Sequence, residues 1–429
     1  MWKFLNDVFN IPSICLGAEN GAQSLLERLK IKTKIFDVFY NNKNWEFELK
    51  KEEIYLPYNY NTIVKDKEAK KFISESKLSE LLPINESKYL NKFYQGASLV
   101  PRNLIFIEVL SKKEKASIIT PNLKIGSKKP WDFIPYDKAE VENEYIFNCI
   151  KSTELVPFSC LNKFKVFLPI NKNLKYDPAN TLPKAKKLYQ SLEQIYKKRQ
   201  ESDERTITDF WKNINHLNKL ANPLQKHKIK VIYNASGSNL KSAIISDQII
   251  IDTTLFYIGL DDINEAYYLC AILNSYIIVN NIKVIKSSRH IHKRPFSFPI
   301  PEYDENDKNH QKIVDLGKIC EQRVMDIIID LKVKKLNSLK TKIECIHCGK
   351  QYSKSSFKNF REKHEKECSR IDKNYKWALE DWIDLEILEI DSVILKKNRV
   401  KNFIFNDVNF KENMEELDKL VIQLFNPNQ

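Results

Sequence analysis

The spacing of apolar and polar residues changes period several times along the chain, and each change predicts an element. Apolar runs at Phe9–Leu16 and Ile35–Tyr40, set between polar stretches, predict strands in the first sixty residues. Residues 66–92 read as two short helices. The stretch Gly96–Leu110 ends in a β-rich run typical of a buried strand, and more strands are expected around 117–122, 145–150 and 164–169. Between Pro183 and Leu220 the period turns helical, with Leu188, Leu192 and Ile195 in register, which predicts a long helix followed by a second. Strands resume at Lys230–Tyr233, Ala243–Ser246 and Ile249–Leu255, and Ile263–Asn274 is helical again. The passage Arg294–Pro301 is rich in proline, which fixes φ and bars helix, so an extended segment is expected. A helix over Asn309–Leu336, with Ile313, Leu316, Ile319 and Val324 as its apolar stripe, leads to a Cys/His-bearing segment and a helical last sixty residues.

This alternation predicts an α+β fold: a mixed-sheet domain with helical segments, a small finger and a helical C-terminus. The expected divisions are a β-rich segment 1–60, a helical connector 61–93, a central domain 94–308, a helix 309–340, the finger 341–370 and a helical region 371–429. A length of 429 residues is ample for a sizeable core.

Composition narrows the chemistry. Lys and Arg outnumber Asp and Glu by 70 to 56, a net charge of +14 that suits a polyanionic partner. There are only eight glycines, from which no Gly-rich phosphate loop, dinucleotide fingerprint or Gly-x-Ser-x-Gly elbow can be assembled. The N-terminus lacks signal-peptide architecture, and no run approaches the roughly 18 apolar residues of a membrane span. Five of the eight cysteines, Cys15, Cys149, Cys160, Cys270 and Cys320, are scattered in apolar contexts. Buried thiols of this kind fit a reducing compartment, so a cytoplasmic protein with no membrane contact is expected.

The other three cysteines form an array. Cys345 and Cys348 are two residues apart; fifteen residues later come His364, three residues and Cys368. Two soft ligands on a knuckle and two on one helical turn suit a closed tetrahedral Zn²⁺ site, structural because no coordination position is left open. The competing reading is a set of reduced, unmetallated cysteines. Tyr352 and Phe360 lie where a small ββα finger needs apolar filling, although its spacer is usually about twelve residues. Lys354, Lys358, Arg361, Lys363 and Lys366 give the finger a cationic face, suited to phosphates or merely solvated.

Ala266–Ser275, Ser288-Arg-His-Ile-His-Lys-Arg-Pro295, Phe298-Pro-Ile-Pro301 and a helix opening near His310 occur in an order that resembles a known arrangement. It is similar to the target-recognition region of adenine-N6 DNA methyltransferases of restriction-modification systems. Phe9–Leu16 looks like the strand that closes the methyltransferase domain in that family; Gly96–Val109 and Leu161–Pro169 resemble the first strands of its recognition region. The resemblance spans roughly residues 7–320, and the Cys/His array is not a usual part of it. It implies sequence-specific binding of double-stranded DNA.

Catalytic members also carry a Gly-rich S-adenosylmethionine loop and an Asn/Asp-Pro-Pro-aromatic motif that holds a flipped base. The nearest strings here, Ala221-Asn-Pro-Leu, Tyr176-Asp-Pro-Ala and Asn426-Pro-Asn, lack the second proline and the aromatic. The resemblance therefore implies a recognition half without a catalytic residue of its own: either a subunit with a separately encoded methyltransferase partner, through which alone S-adenosylmethionine would enter, or a gene remnant.

DNA recognition needs phosphate contacts for position and base-edge contacts for sequence. The polar loop Asn234–Lys241 offers Ser236, Ser238, Asn239 and Lys241; its bland reading is an ordinary hairpin turn. Arg289, His290, Lys293 and Arg294 fall within six residues beside a proline segment and are candidates for backbone contact. Arg102, after Pro101 at an expected strand start, is a candidate for DNA or for a structural salt bridge. His290 and His292 alternate like strand residues, which predicts one buried and one exposed. Two rival functions remain. A nuclease would use Glu48-Leu-Lys50 or Tyr257-Ile-Gly259, but each lacks its partner motif. A protein-interaction scaffold would use the finger and the C-terminal helices, with DNA affinity incidental.

Overall fold

The computed structural model describes the backbone of 33–41, 46–62 and 67–74, and residues 81–425 except 172, 202–208, 287–288, 340–341, 369–376, 379–380, 385–389 and 391–392. The expected strand Phe9–Leu16 lies outside the described residues. Strands β1 (Thr33–Asn41), β2 (Glu46–Thr62) and β3 (Lys67–Ser74) form an antiparallel meander. The long β2 pairs with β1 through its first half and with β3 through its second, Tyr55 lying opposite both Thr33 and Ser74. Among the described residues of 66–92 there is no helix. Lys67-Glu-Ala-Lys-Lys-Phe-Ile-Ser74 has respectable helix propensity, but pairing along β2 overrides it, and 81–93 is irregular with a turn at 88–92.

The central domain holds two larger sheets and a small antiparallel pair of Leu155–Val156 with Ser159–Cys160. Its strands are β4 (Tyr94–Gln95), β5 (Phe106–Lys112), β6 (Ala116–Pro121), β7 (Ala139–Glu142), β8 (Ile146–Ile150), β9 (Leu155–Val156), β10 (Ser159–Cys160) and β11 (Phe164–Phe167). After a helical interval come β12 (Ile229–Asn234), β13 (Ser242–Ile245), β14 (Ile250–Ile251) and β15 (Leu255–Leu260). One sheet runs β14-β8-β11-β5-β6-β7, antiparallel except for β14 against β8; the other runs β13-β12-β15-β4 and is wholly antiparallel. The chain crosses between them at Gly96, where a Cβ would lie 2.4 Å from the carbonyl oxygens of Ile251 and Asp252, so only glycine fits. The run 249–255, expected as one strand, is split into β14 and β15. The Asp252 carboxylate accepts from the Thr254 amide (3.0 Å) and hydroxyl (2.7 Å), and this side-chain turn competes with extension.

Helix α1 (Arg102–Ile105) is a single turn ahead of β5; α2 (Pro183–Glu201) is the predicted long helix, and its successor α3 (Phe210–Ile214) is short. These pack the six-stranded sheet through stacked rings, Trp131 on Tyr196 and Tyr189 on Phe210. Helix α4 (Ile263–Asn274) buries Tyr268 to Asn274 without a break, because β12 and β13 lie on one side and α6 (Lys308–Leu339) on the other. Gly317 of α6 lets the two helices touch, an added Cβ there meeting the Tyr267 carbonyl at 3.0 Å. Helix α5 (Tyr276–Ile285) follows at once. Residues 294–301 are not extended throughout: Arg294–Ser297 forms one 3-10 turn, with Pro295 in its first turn, where a missing N–H costs nothing.

The C-terminal region contains β16 (Lys342–Cys345), β17 (Gln351–Ser353), α7 (Phe357–Glu367), β18 (Trp382–Asp384), α8 (Lys397–Asn406) and α9 (Val408–Phe425). It is not helical throughout, since β18 pairs with β16 across the expected boundary at 370. Helices α8 and α9 pack on α6, where Arg323 grips Asp407 with two hydrogen bonds (2.9 and 2.6 Å). The same carboxylate accepts from the Phe410 amide at the start of α9. The fold is thus α+β with a helical C-terminal bundle. Among the described residues no single helix is long and apolar enough to cross a membrane; the bent pair α4–α5, apolar enough in composition, belongs to the core.

Candidate metal centre and nucleic-acid face

Strand β16 delivers Cys345, fully buried, to a knuckle closed by the Gly349 amide donating to the Cys345 carbonyl (2.9 Å). Gly349 has φ +72°, a conformation natural to glycine at this turn. Helix α7 carries His364 in its last turn and ends at Cys368, so spacing alone sets both on one side of the helix. Ligand atoms of Cys345, Cys348, His364 and Cys368 all lie within 4.8 Å of one another, and the four could hold a metal ion. The Cys348 Sγ to His364 Nε2 separation is 3.5 Å. That is the edge, about 3.5 Å, of a tetrahedron with metal–sulfur bonds of ~2.3 Å and metal–nitrogen bonds of ~2.0 Å. The other imidazole nitrogen, Nδ1, is 2.8 Å from the Tyr352 hydroxyl, which orients the ring so that Nε2 faces the thiols.

The centre is walled by aromatics. Tyr352 stacks on Phe360 as the ββα pattern requires, but the wall is completed from beyond residue 370. Trp382 of β18 stands edge-on to Phe357, His364 and Tyr352, and the Trp377 indole N–H donates to the Glu365 carbonyl (3.0 Å). Asp381, buried, bridges His347 Nε2 (2.8 Å) and the Ala378 amide (2.7 Å). His347, although inside the knuckle, is thereby a hydrogen-bonding residue and not part of the ligand set. Trp377, Asp381 and Trp382 were missed in the sequence; the Trp-x4-Trp spacing after the last cysteine was the signal. On the cationic face, Arg361 is committed to Glu365 one turn on (2.6 Å), while Lys363 and Lys366 are exposed.

The loop Asn234–Lys241 joins β12 to β13 and is organised by the buried Asn234. Its amide nitrogen donates to the carbonyls of Ser236 (2.9 Å) and Asn239 (3.0 Å), and its oxygen accepts from the Lys241 amide (2.8 Å). This loop is stitched to the segment after α5: Ser236 bridges His290, the Gly237 amide donates to the Arg289 carbonyl (2.7 Å), and Lys286 Nζ donates to the Gly237 carbonyl (2.7 Å). Ser236, Ser238, Arg289 and His290 therefore share one exposed edge. Lys293 is half-buried beside it. His290 and His292 are both exposed and stack at 4.9 Å, where alternation would have buried one, because His292 adopts a φ of 47° that turns the chain. Burial first, then the charges of His290 and Arg294, holds the His292 pKa below the ordinary value.

Other candidates go elsewhere. Arg294 donates to the Ile285 carbonyl (2.9 Å), capping the C-terminus of α5. Arg102 opens α1 instead of a strand and is half-buried. Its notable neighbour is Lys151, buried at 3 % exposure over the rings of Phe106 and Phe164, with a pKa lowered by burial and then by Arg102. Asn239 and Lys241 point away from the loop edge into a pocket against the C-terminal helices. Tyr257-Ile-Gly259 lies in β15 with Tyr257 fully buried, and a Cβ on Gly259 would meet His227 at 2.5 Å; packing accounts for that string. Glu48-Leu-Lys50 is part of β2. No family model matches the chain, and no curated protein matches it.

Proposed function

We propose that this protein binds double-stranded DNA in a sequence-specific manner, as the recognition part of an adenine-N6 methylation system. It has no methyl-transfer site of its own, and S-adenosylmethionine would enter through a separately encoded subunit. The observation that carries this reading is the joining of two sequence-distant polar segments, 234–241 and 289–293, into one exposed edge. Hydroxyls of Ser236 and Ser238 suit base edges or phosphates, and the Arg289 fork suits guanine or a phosphate. The net charge of +14 supplies the long-range attraction such a partner requires. The metal of the Cys345/Cys348/His364/Cys368 site is zinc in this reading, since three thiolates and one imidazole at tetrahedral spacing favour it over harder ions. Four protein ligands make its role structural.

The test is retention of a random duplex library by the full chain at physiological salt. An enriched motif that is lost with the double variant Ser238→Ala/Arg289→Ala supports the reading; retention without a motif refutes sequence specificity. A second reading concerns the finger alone. Phe360 is 47 % exposed and Ile346 45 %, while Arg361 is consumed by Glu365, a surface better suited to a protein partner than to phosphates.

A further inference from the structure

One residue past β8, Lys151 continues the alternation of that strand and falls on the same sheet face as Cys149. Cys149 pairs with Phe164, and Val166, two residues along β11, pairs with Phe106. Both phenylalanines therefore rise beside the lysine, whose ammonium stands 5.0 Å from the centre of the Phe106 ring and 5.5 Å from that of Phe164. The rings meet edge to face and cover the stem, which leaves the residue 3 % exposed. Among the described residues the ammonium has no hydrogen-bond acceptor and no ion-pair partner. Its tip still reaches solvent, unlike the enclosed unpaired atoms Asn103 Oδ1 and Tyr136 Oη, so an acceptor can approach it from outside. The acidic residues nearest in charge are engaged elsewhere: Asp252 receives the Thr254 amide and hydroxyl, and Glu154 receives the Asn162 amide (2.6 Å).

Arg102 is half-buried and likewise has no acceptor among the described residues. Its carbonyl accepts the Phe106 amide, which sets it one turn of α1 back from the ring beneath Lys151. The turn 252–254 fastens this corner to the loop edge. Thr254 Oγ1 accepts the Ser152 amide (3.1 Å), and the Thr254 carbonyl accepts the amide of Ala235 (2.9 Å), the residue before Ser236. The Thr253 amide donates to the Ala97 carbonyl (2.8 Å) in the segment that leads to Arg102.

We infer that Lys151 and Arg102 form a phosphate site, separated from the Ser236/Ser238/Arg289 edge by the turn 252–254, which takes a backbone phosphate of a duplex bound at that edge. A buried ammonium without an acceptor is costly, and a phosphate oxygen supplies the missing partner as a charge-assisted hydrogen bond. The guanidinium of Arg102 adds forked donors suited to the same anion. Because two rings hold the lysine, its position is set before the anion arrives, whereas an exposed lysine must first lose the freedom of its stem. Base-edge contacts depend on a duplex held in register, which phosphate contacts provide. The duplex as source of the phosphate rests on the DNA-binding reading; the anion site itself does not.

The experiment pairs duplex binding by the full chain with its thermal unfolding. Lys151→Met should lessen the slope of log K against log salt by about 1. Without DNA it should melt at or above the wild-type temperature, because an apolar chain of similar length replaces a charge that lacked a partner. A lysine that serves only packing would give the opposite pair of results, a lower melting temperature and an unchanged slope, and would overturn the inference. Arg102→Gln is the second variant; it should also lessen the slope by about 1, with the fold retained. In inorganic phosphate against chloride of equal ionic strength, the wild type should gain melting temperature, since a ligand of the folded state stabilises it by mass action, and both variants should lose that gain. If the wild type binds no duplex but this phosphate pattern holds, the DNA-binding reading falls and the site stands as one for free phosphate. If neither the salt slope nor the phosphate gain depends on Lys151 and Arg102, the inference is overturned.

Discussion

The metal centre and the loop edge were both proposed from residue types, yet they differ in how much of them sequence spacing can specify. All four predicted ligands of the finger converge, because a two-residue gap fits a knuckle and a three-residue gap fits one helical turn. Of the nine residues proposed for DNA, Ser236, Ser238, Arg289 and His290 share an edge, Lys293 lies half-buried beside it, and Asn239, Lys241, Arg294 and Arg102 go elsewhere. Local geometry is encoded by spacing. Geometry assembled from segments fifty residues apart depends on register, which spacing does not state.

The largest expected effect breaks the local half of this comparison. Cys345→Ser should release the metal and unfold the finger, exposing Trp377 and Trp382 to solvent, because metal binding and folding are one equilibrium in such units. Cys270→Ser, in the core of α4, should leave metal content unchanged. Metal analysis with tryptophan fluorescence reads both, and equal loss of metal in the two variants would remove the ligand assignment.

Next in size is the salt response of duplex binding, which tests the non-local half. If about six phosphates are contacted, affinity should drop on the order of 10³-fold between ~50 and ~200 mM salt. A flat response, measured by anisotropy of a labelled duplex, would show that the positive charge is solvated surface and that the loop edge needs another partner.

A smaller effect sharpens the finger. Tyr352→Phe removes the hydroxyl that orients His364 while keeping the ring that stacks on Phe360. Metal affinity, measured by competition with a chromophoric chelator, should weaken by about 10- to 100-fold with the fold retained. No change would mean that packing by Trp382 alone orients the imidazole.

Most element types were legible because their periods are strong. Ile263–Asn274 could be read as a helix from its patterning and β12 from its β-branched and aromatic run, whereas β15 runs on to Leu260 past the expected strand end at Leu255. What failed was decided by partners. Lys67–Ser74 is a strand because β2 is long enough to pair with it, and Trp382–Asp384 is a strand because β16 has a free edge. The split between β14 and β15 turns on one carboxylate, Asp252, choosing a local bond to Thr254. At the candidate sites the same holds: Trp377, Asp381 and Trp382 close the finger through packing that no local pattern marks.

The smallest expected effect probes Lys241, which leaves the loop edge for a pocket against the C-terminal helices. Lys241 has a folded-state pKa of about 7, against about 10.4 in an unfolded chain. Between these values the unfolded chain binds more protons than the folded one at this residue, so the free energy of unfolding rises with pH. Below about 7 both states are charged and the full penalty of burying the ammonium is present. The groups facing Lys241 are Lys397 and Lys401 of α8, with Lys283 of α5 across the pocket, and Glu154 acts through Lys397. Lys230, lowered to about 8 by burial, contributes over part of the same window, so wild type and Lys241→Met must be compared as a pair. The wild type should gain melting temperature from pH 7 to 9 more steeply than Lys241→Met. Parallel profiles for the two proteins would mean that water already solvates this ammonium and that the lysines of α8 do not bear on it.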